Sequence, residues 1–174
     1  GRWCKNPLNF GVLEMKQQSA FTLIELMVTI AILAIIATLA APNLSQMLRN
    51  NKVNTSSGDI LSFLQQSRTE AIRFGKSVTI CGSSNGSDCL DANKTNWSTG
   101  LIATYPVTGS TTAVIQKLTF DSSQLSVTAP ATINFNSVGS TTAEHEITVT
   151  IPNSNTYSVC VEVVGRAFKS KTGC

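Results

Sequence analysis

The chain has 174 residues and a formal net charge of +3, and 42% of its residues are hydrophobic whereas only 13% are charged. This length fits one domain of ordinary size with an appendage and excludes two large domains. The small net charge excludes a protein that holds nucleic acid through a global basic field, so any such binding would need a local patch.

The first long pattern is an apolar run that begins at Phe21. Residues 26–48 carry no charge, and residues 26–41 are almost purely aliphatic. This approaches the roughly 20 residues that a helix needs to span a bilayer. A secretory signal peptide would have a shorter apolar stretch followed by a break. We therefore predict a transmembrane helix over residues 21–48.

Glu25 is the one charged residue near the start of this run. A charge at membrane depth costs about 2.5 to 3.5 kcal/mol on insertion scales, so the carboxylate needs an explanation. One interpretation is that Glu25 lies near the interface and reaches water or a lysine. The other is that cleavage between Ala20 and Phe21 creates an α-amino group, and that Glu25 of a neighbouring copy pairs with it to set the register of packed helices.

A known signal resembles this region. Lys16, the small residue Ala20, the motif FTLIEL at residues 21–26 and an aliphatic helix up to Pro42 resemble the class III prepilin signal of type IV pilins and type II secretion pseudopilins. The resemblance implies that a prepilin peptidase cleaves before Phe21 and methylates its amine, and that Glu25 recruits the subunit into a filament. Ala20 stands where the family usually has glycine, which predicts slower processing.

The residues before Phe21 are predicted to be a leader, residues 1–20. Residues 1–14 begin without methionine and lack a signal-peptide pattern, whereas Met15 opens the short leader MKQQSA, which is typical of these proteins. We therefore expect Met15 to be the native start.

Beyond Pro42 the chain becomes amphipathic. Apolar residues recur at steps of three, four and seven up to Phe74, which predicts a helix over residues 49–75 that packs on a sheet and stops near Gly75. Residues 50–59 are rich in Asn, Ser, Thr and Gly, which are poor helix formers, so we expect the helix to loosen there.

The remainder, residues 76–174, is predicted to be a β-rich head. Short alternating runs separated by turns rich in Gly, Pro, Ser, Asn and Asp predict six strands, at residues 77–81, 100–105, 113–120, 132–135, 146–151 and 157–164. Because no helical pattern separates them, we expect antiparallel pairing. The predicted fold class is α+β, a long helix packed on an antiparallel head.

Four cysteines follow the leader, and loop closure favours pairing between near neighbours, which predicts the disulfides Cys81–Cys89 and Cys160–Cys174. Disulfides indicate an oxidising compartment. The alternative is a metal site, but the spacing is not that of a zinc knuckle, and the only histidine, His145, lies between two glutamates in a predicted strand. We predict no metal and no cofactor.

The head also resembles a known subgroup. The motifs SVTICGSSNGSDC, NWSTGLIA, INFNSVGS and VCVEVVGRAFKSKTGC occur in the order found in type II secretion protein H (GspH) and the FimT and FimU minor pilins. This resemblance implies a pilin-like fold, and partnership with minor and major pilins in a filament. It also implies a single-pass protein of the bacterial inner membrane with a periplasmic head before assembly.

We expect no enzyme, because the sequence offers no nucleophile with an activating base and no phosphate-loop or dinucleotide fingerprint. The C-terminal loop closed by Cys160 and Cys174 instead carries Arg166, Lys169 and Lys171 around Phe168, a combination that suits weak, salt-dependent contact with DNA. Such a tail also serves solubility alone, with Phe168 folded into the core. Some FimT proteins take up DNA through a Gly-Arg-x-Arg tail, and here the second arginine is absent.

Three functions remain open from the sequence. The leading prediction is a minor pilin that primes type IV pilus assembly, at the filament tip. The alternatives are a minor pilin that captures double-stranded DNA for natural transformation, and a GspH-type pseudopilin of type II secretion.

Overall fold

The computed structural model describes residues 21–108, 111–121 and 123–174. The predicted leader, with Met15 and the cleavage-site residue Ala20, lies outside the described residues. The chain divides into two compact units, with the boundary between Ala41 and Pro42.

The helix α1 covers Leu23–Phe74, which is all but the end residues of the two helical segments that the sequence predicts, 21–48 and 49–75. It ends where Gly75 adopts a left-handed conformation, with φ of 62°. The backbone amides of Gly75 and Lys76 donate to the carbonyl oxygens of Ile72 and Ala71, each at 3.2 Å. This is the pattern of a Schellman cap, in which glycine avoids the steric penalty of a Cβ.

The first unit contains the apolar part of α1. Within the described residues, no single unbroken helix is long and apolar enough to qualify as a membrane span. The two segments of α1 on either side of residues 39–40, Leu23–Thr38 and Ala41–Phe74, meet the length and composition criteria only as a pair.

In the second unit, one stripe of α1 is fully buried, with Val53, Ile60, Leu64 and Ala71 along it. Contrary to the sequence-based expectation, the helix is continuous through residues 50–59. Ser56 and Ser57 are buried there, and the Ser57 hydroxyl donates to the Asn54 carbonyl at 2.9 Å. Tertiary packing of these small side chains therefore outweighs their low helix propensity.

Within the described residues, eight strands form two four-stranded sheets, in the orders β3-β2-β1-β5 and β4-β6-β7-β8. Every pairing is antiparallel, and the α+β prediction is confirmed. The strands are β1 (Val78–Gly82), β2 (Gly100–Pro106), β3 (Thr112–Thr119), β4 (Ser126–Thr128), β5 (Thr132–Phe135), β6 (His145–Thr150), β7 (Tyr157–Val161) and β8 (Ala167–Ser170).

Three strands, β4, β7 and β8, differ clearly from the sequence-based prediction. The three-residue β4 was not predicted, and β8 lies inside the segment that was predicted to be a disulfide-closed loop. The last predicted strand also ends early, at Val161, so Val163 lies in the turn between β7 and β8 and is 47% exposed.

Trp97 anchors the core between the loop after β1 and the second sheet. Its side chain is fully buried, its indole nitrogen donates to the Lys94 carbonyl at 3.0 Å, and its amide donates to the Val127 carbonyl at 2.8 Å. A Cβ at Gly82 would lie only 2.5 Å from Trp97 Cδ1, so close packing requires glycine there.

Candidate functional site

The N-terminus of α1 places Glu25 in the first helical turn. Thr22 Oγ1 accepts a hydrogen bond from the Glu25 amide at 3.3 Å, so Thr22 acts as the N-cap. A threonine followed three residues later by glutamate has the spacing of a capping box, which marks the start of a helix. The sequence-based prediction of this helix used apolar periodicity and did not use this local signal. The helix dipole favours a negative charge at this end, so the carboxylate is compatible with its own helix.

The helix after Glu25 exposes apolar side chains on all sides. Between Leu23 and Thr38 the other polar side chains are Thr29 and Thr38, whose hydroxyls donate to the carbonyls of Leu26 (2.8 Å) and Ile35 (2.7 Å). Each of the exposed large hydrophobic side chains is at least half exposed, and lipid or neighbouring helices are needed to cover such a surface. They are Phe21, Leu23, Ile24, Leu26, Met27, Val28, Ile30, Ile32, Leu33, Ile35 and Ile36.

Both disulfides link cysteines of the second unit. Cys81 is bonded to Cys89 and Cys160 to Cys174, and the Cα atoms of each pair are 5.6 Å apart. The first disulfide closes the start of the loop between β1 and β2. The second fixes the C-terminal segment to β7.

The candidate DNA-binding residues lie in and beside β8. In the register of β7 and β8, Phe168 is opposite Cys160 and Lys169 is opposite Val159. Since successive strand residues point to opposite faces, Phe168 and Lys169 lie on different faces of the sheet.

Arg166 and Phe168 form one group. The Arg166 guanidinium lies 5.1 Å from the Phe168 ring centroid, and its Nε is 3.2 Å from Glu162 Oε2. Phe168 lines a cleft of about 240 Å³ together with three carboxylates, Glu144, Glu146 and Glu162. Arg166 therefore carries a charge that is partly neutralised in an acidic surrounding.

Lys169 and Lys171 form a second group on the other face. Lys169 Nζ donates to Asn54 Oδ1 of α1 at 2.7 Å and lies 5.1 Å from the ring centroid of Tyr157. Lys171 Nζ lies 5.6 Å from the same centroid. The structure thus brings the four candidate residues together in two pairs and does not form one continuous basic patch from them.

His145 lines the same cleft as Phe168. Burial lowers the pKa of His145 below its usual 6.5, because a charged imidazolium would lose hydration there. Within the described ranges, no group of three or more His, Cys, Asp or Glu side chains is arranged to hold a metal ion.

Comparisons with known proteins match both parts of the chain. The family model of type II transport protein GspH matches residues 56–165, and that of the prokaryotic N-terminal methylation motif matches residues 15–41. No curated protein matches the sequence.

Two solved structures have a similar fold, both of the type IV minor pilin FimU from Pseudomonas aeruginosa strain PAO1. The crystal form in space group P21 is 16% identical to this chain with a TM-score of 0.56, and the match covers 71% of this chain and 92% of that one. The form in P65 is also 16% identical, with a TM-score of 0.52 and coverage of 67% and 91%. At this identity the similarity establishes the fold alone.

Proposed function

Because the chain belongs to the GspH family of pilins and pseudopilins and carries the N-terminal methylation motif, we propose that it is a minor pilin that primes assembly of a type IV pilus at the filament tip. A member of this family is a structural subunit and not an enzyme. The finer assignments that follow rest on the geometry of α1 and on the charges of the second unit.

The observation that carries the proposal is the N-terminal part of α1. It is a helix with apolar side chains on all sides and a single carboxylate, Glu25, in its first turn. Such a surface is stable in a bilayer or among other helices of the same kind. It therefore suits a subunit that waits in the bacterial inner membrane, with the second unit in the periplasm, and then enters a filament core of packed helices.

Processing would supply the partner for Glu25. Prepilin peptidase would cut between Ala20 and Phe21, leaving a methylated, positively charged amine directly before the N-cap Thr22. A cation at the N-terminus of a helix is disfavoured by the helix dipole. A carboxylate from Glu25 of a neighbouring subunit would compensate that charge, and pairing in an apolar filament core would fix the axial register between subunits.

A Glu25→Ala variant of the full chain tests this role, with Glu25→Gln as an uncharged variant of matched size. We expect both variants to remain in the membrane fraction and to be lost from sheared filaments. Thr22→Ala is the control, since it removes the cap and keeps the carboxylate, and it should retain incorporation. Normal incorporation of both Glu25 variants would contradict the proposal.

DNA capture is a second candidate function. The observation that favours it is the convergence of Lys169 and Lys171 on Tyr157. It ranks below filament assembly because Arg166 is paired with Glu162, and because the basic side chains lie on two faces of the sheet. A pseudopilin role in type II secretion shares the assembly chemistry, and deletion of this gene followed by separate assays of piliation and protein secretion would distinguish the two.

A further inference from the structure

The second unit carries an exposed apolar patch beside the C-terminal end of α1. Four large hydrophobic side chains are exposed on the helix end and on two adjacent turns: Ile72 (50%), Val138 (73%), Val163 (47%) and Val164 (64%). We call these four residues the valine patch. Isolated exposed valines are ordinary, but a group of them on neighbouring segments is typical of an interaction surface.

The two turns of the valine patch touch each other. A Cβ at Gly165 would lie 1.7 Å from the carbonyl oxygen of Gly139, and a Cβ at Gly139 would lie 2.7 Å from Ile72 Cδ1. The Thr141 amide also donates to the Val163 carbonyl at 2.9 Å. The turn after β5, the turn after β7 and the helix end therefore form one continuous surface.

Arg68 of α1 holds this surface in place. Its Nε donates to the Gly139 carbonyl at 2.8 Å, and its Nη2 donates to the Val164 carbonyl at 3.1 Å. A surface that is ordered before binding loses less conformational entropy when a partner docks. One side chain thus holds the backbone of both turns that carry the exposed valines.

The edge of the valine patch is basic. Ile72 lines a shallow cleft of about 280 Å³ together with Arg68 and Arg166. Two carboxylates lie near these arginines in the sequence, and each is paired: Glu70 with Arg73 at 2.7 Å and Glu162 with Arg166 at 3.2 Å. The net positive charge of the edge is therefore that of Arg68, whose guanidinium donates to backbone carbonyls. An apolar surface edged with carboxylates would complement this one.

A second copy of this chain fits the valine patch poorly. In a symmetric contact, the edge that carries Arg68 would meet the same net positive edge of the other copy, and like charges that meet across an interface are costly. The opposite end of the second sheet, where Asn50 of α1 accepts a hydrogen bond from the Asn155 amide, lies about 33 Å from Ile72 along the helix. That end is also basic and polar, with Arg49, Lys52, Lys169 and Lys171 in the segments around it.

We propose that the valine patch docks the head of a different pilin-like subunit, which presents an apolar surface edged with carboxylates. This inference rests on the proposed function, because it takes the chain to be one subunit among several in a filament. It adds the surface that selects the neighbour and the chemistry of that neighbour.

The test places a photo-crosslinking amino acid at Val138 or Val164 of the full chain, in cells that assemble the filament. Thr156, exposed at the opposite end of the sheet, is the matched control position, and Ile32 on the apolar helix reports whether the chain enters filaments. We expect Val138 and Val164 to give an adduct with another pilin-like protein, attached near Asp or Glu residues, and Thr156 not to give it.

A Val164→Asp variant carrying the cross-linker at Val138 should lose most of this adduct, whereas Val164→Ile should keep it; thermal unfolding of each variant verifies the fold. Two outcomes would overturn the inference and leave the proposed function standing. In the first, Ile32 gives adducts and the valine patch gives none. In the second, the valine patch gives adducts only with copies of this chain. Absence of adducts at Ile32 as well would overturn both.

Discussion

Arg68 Nε donates a hydrogen bond to the carbonyl oxygen of Gly139, which lies 71 residues further along the chain, at 2.8 Å. A second bond from the same guanidinium reaches Val164. One side chain of α1 therefore fastens one turn from each sheet, the turn after β5 and the turn after β7.

Replacing Arg68 should destabilise the second unit. Arg68→Ala removes two charge-assisted hydrogen bonds, of which the one to the Gly139 carbonyl is part-buried and the one to the Val164 carbonyl is exposed. This should lower the free energy of unfolding by about 2 to 3 kcal/mol. Arg68→Lys should be intermediate, because one ammonium cannot reproduce the planar fork of a guanidinium. Denaturant unfolding of the full chain in detergent measures both, and an Arg68→Ala variant as stable as the parent would contradict the role of this contact.

Gly165→Ala should be among the most damaging single substitutions in the head. The added Cβ would meet the backbone of Gly139 at 1.7 Å, and φ at Gly165 is +79°. Neither the backbone clash nor the left-handed conformation can be relieved by a side-chain movement, so we expect a loss above about 3 kcal/mol. Gly58→Ala is the matched control, because nothing lies within 4 Å of its Cβ position in α1. That variant should be stabilised by about 0.5 to 1 kcal/mol.

The elements of this fold are predictable from the sequence where the signal is local. The apolar run, the amphipathic stripe of α1 and the alternation in β6 and β7 are all periodic patterns over short windows. β8 was missed because its sequence, AFKS, is short and carries a lysine. It is recognisable as an edge strand only through its pairing with β7.

The candidate sites were predicted unevenly for the same reason. Glu25 stands out in the sequence as the one charge near the start of an apolar run, and the pairing of the four cysteines was predicted from their spacing. The contacts of the basic tail depend on which face of β8 each side chain occupies, for Arg166, Lys169 and Lys171 alike. Because β8 was not predicted from the sequence, its register with β7, and so these faces, could not be assigned. Arg68 was missed because its two acceptors are backbone carbonyls 71 and 96 residues away.

The stability of the head should decrease as the pH falls through about 6.5. Burial holds the pKa of His145 below 6.5 in the folded chain, so below that pH the unfolded chain takes up a proton that the folded chain does not. The loss is at most about 1.4 kcal/mol per pH unit for one group, and it levels off below the folded pKa. A His145→Gln variant should show a weaker dependence between pH 7.5 and 5.5 in the same unfolding measurement. An identical dependence in both proteins would show that other groups cause it.

DNA binding, if it is a function of this chain, should depend on the lysines over Tyr157 more than on Arg166. Lys169 and Lys171 converge on one ring, whereas Arg166 is already paired with Glu162. A Lys169→Ala/Lys171→Ala variant should therefore bind a short duplex more weakly than Arg166→Ala does. A plot of log affinity against log salt concentration has a negative slope, and the magnitude of that slope should decrease by about 1.8, as expected for two lost phosphate contacts.

Fluorescence anisotropy of the full chain in detergent, at low and moderate salt, measures both effects. A Lys94→Ala/Lys117→Ala variant is the charge-matched control, since it removes two lysines from the loop after β1 and from β3. Equal losses in the two double variants would indicate a general charge effect, which contradicts a specific interface. A chain that only builds filaments should bind the duplex at neither salt concentration, because its basic side chains would then serve contacts within the head, such as the bond from Lys169 to Asn54.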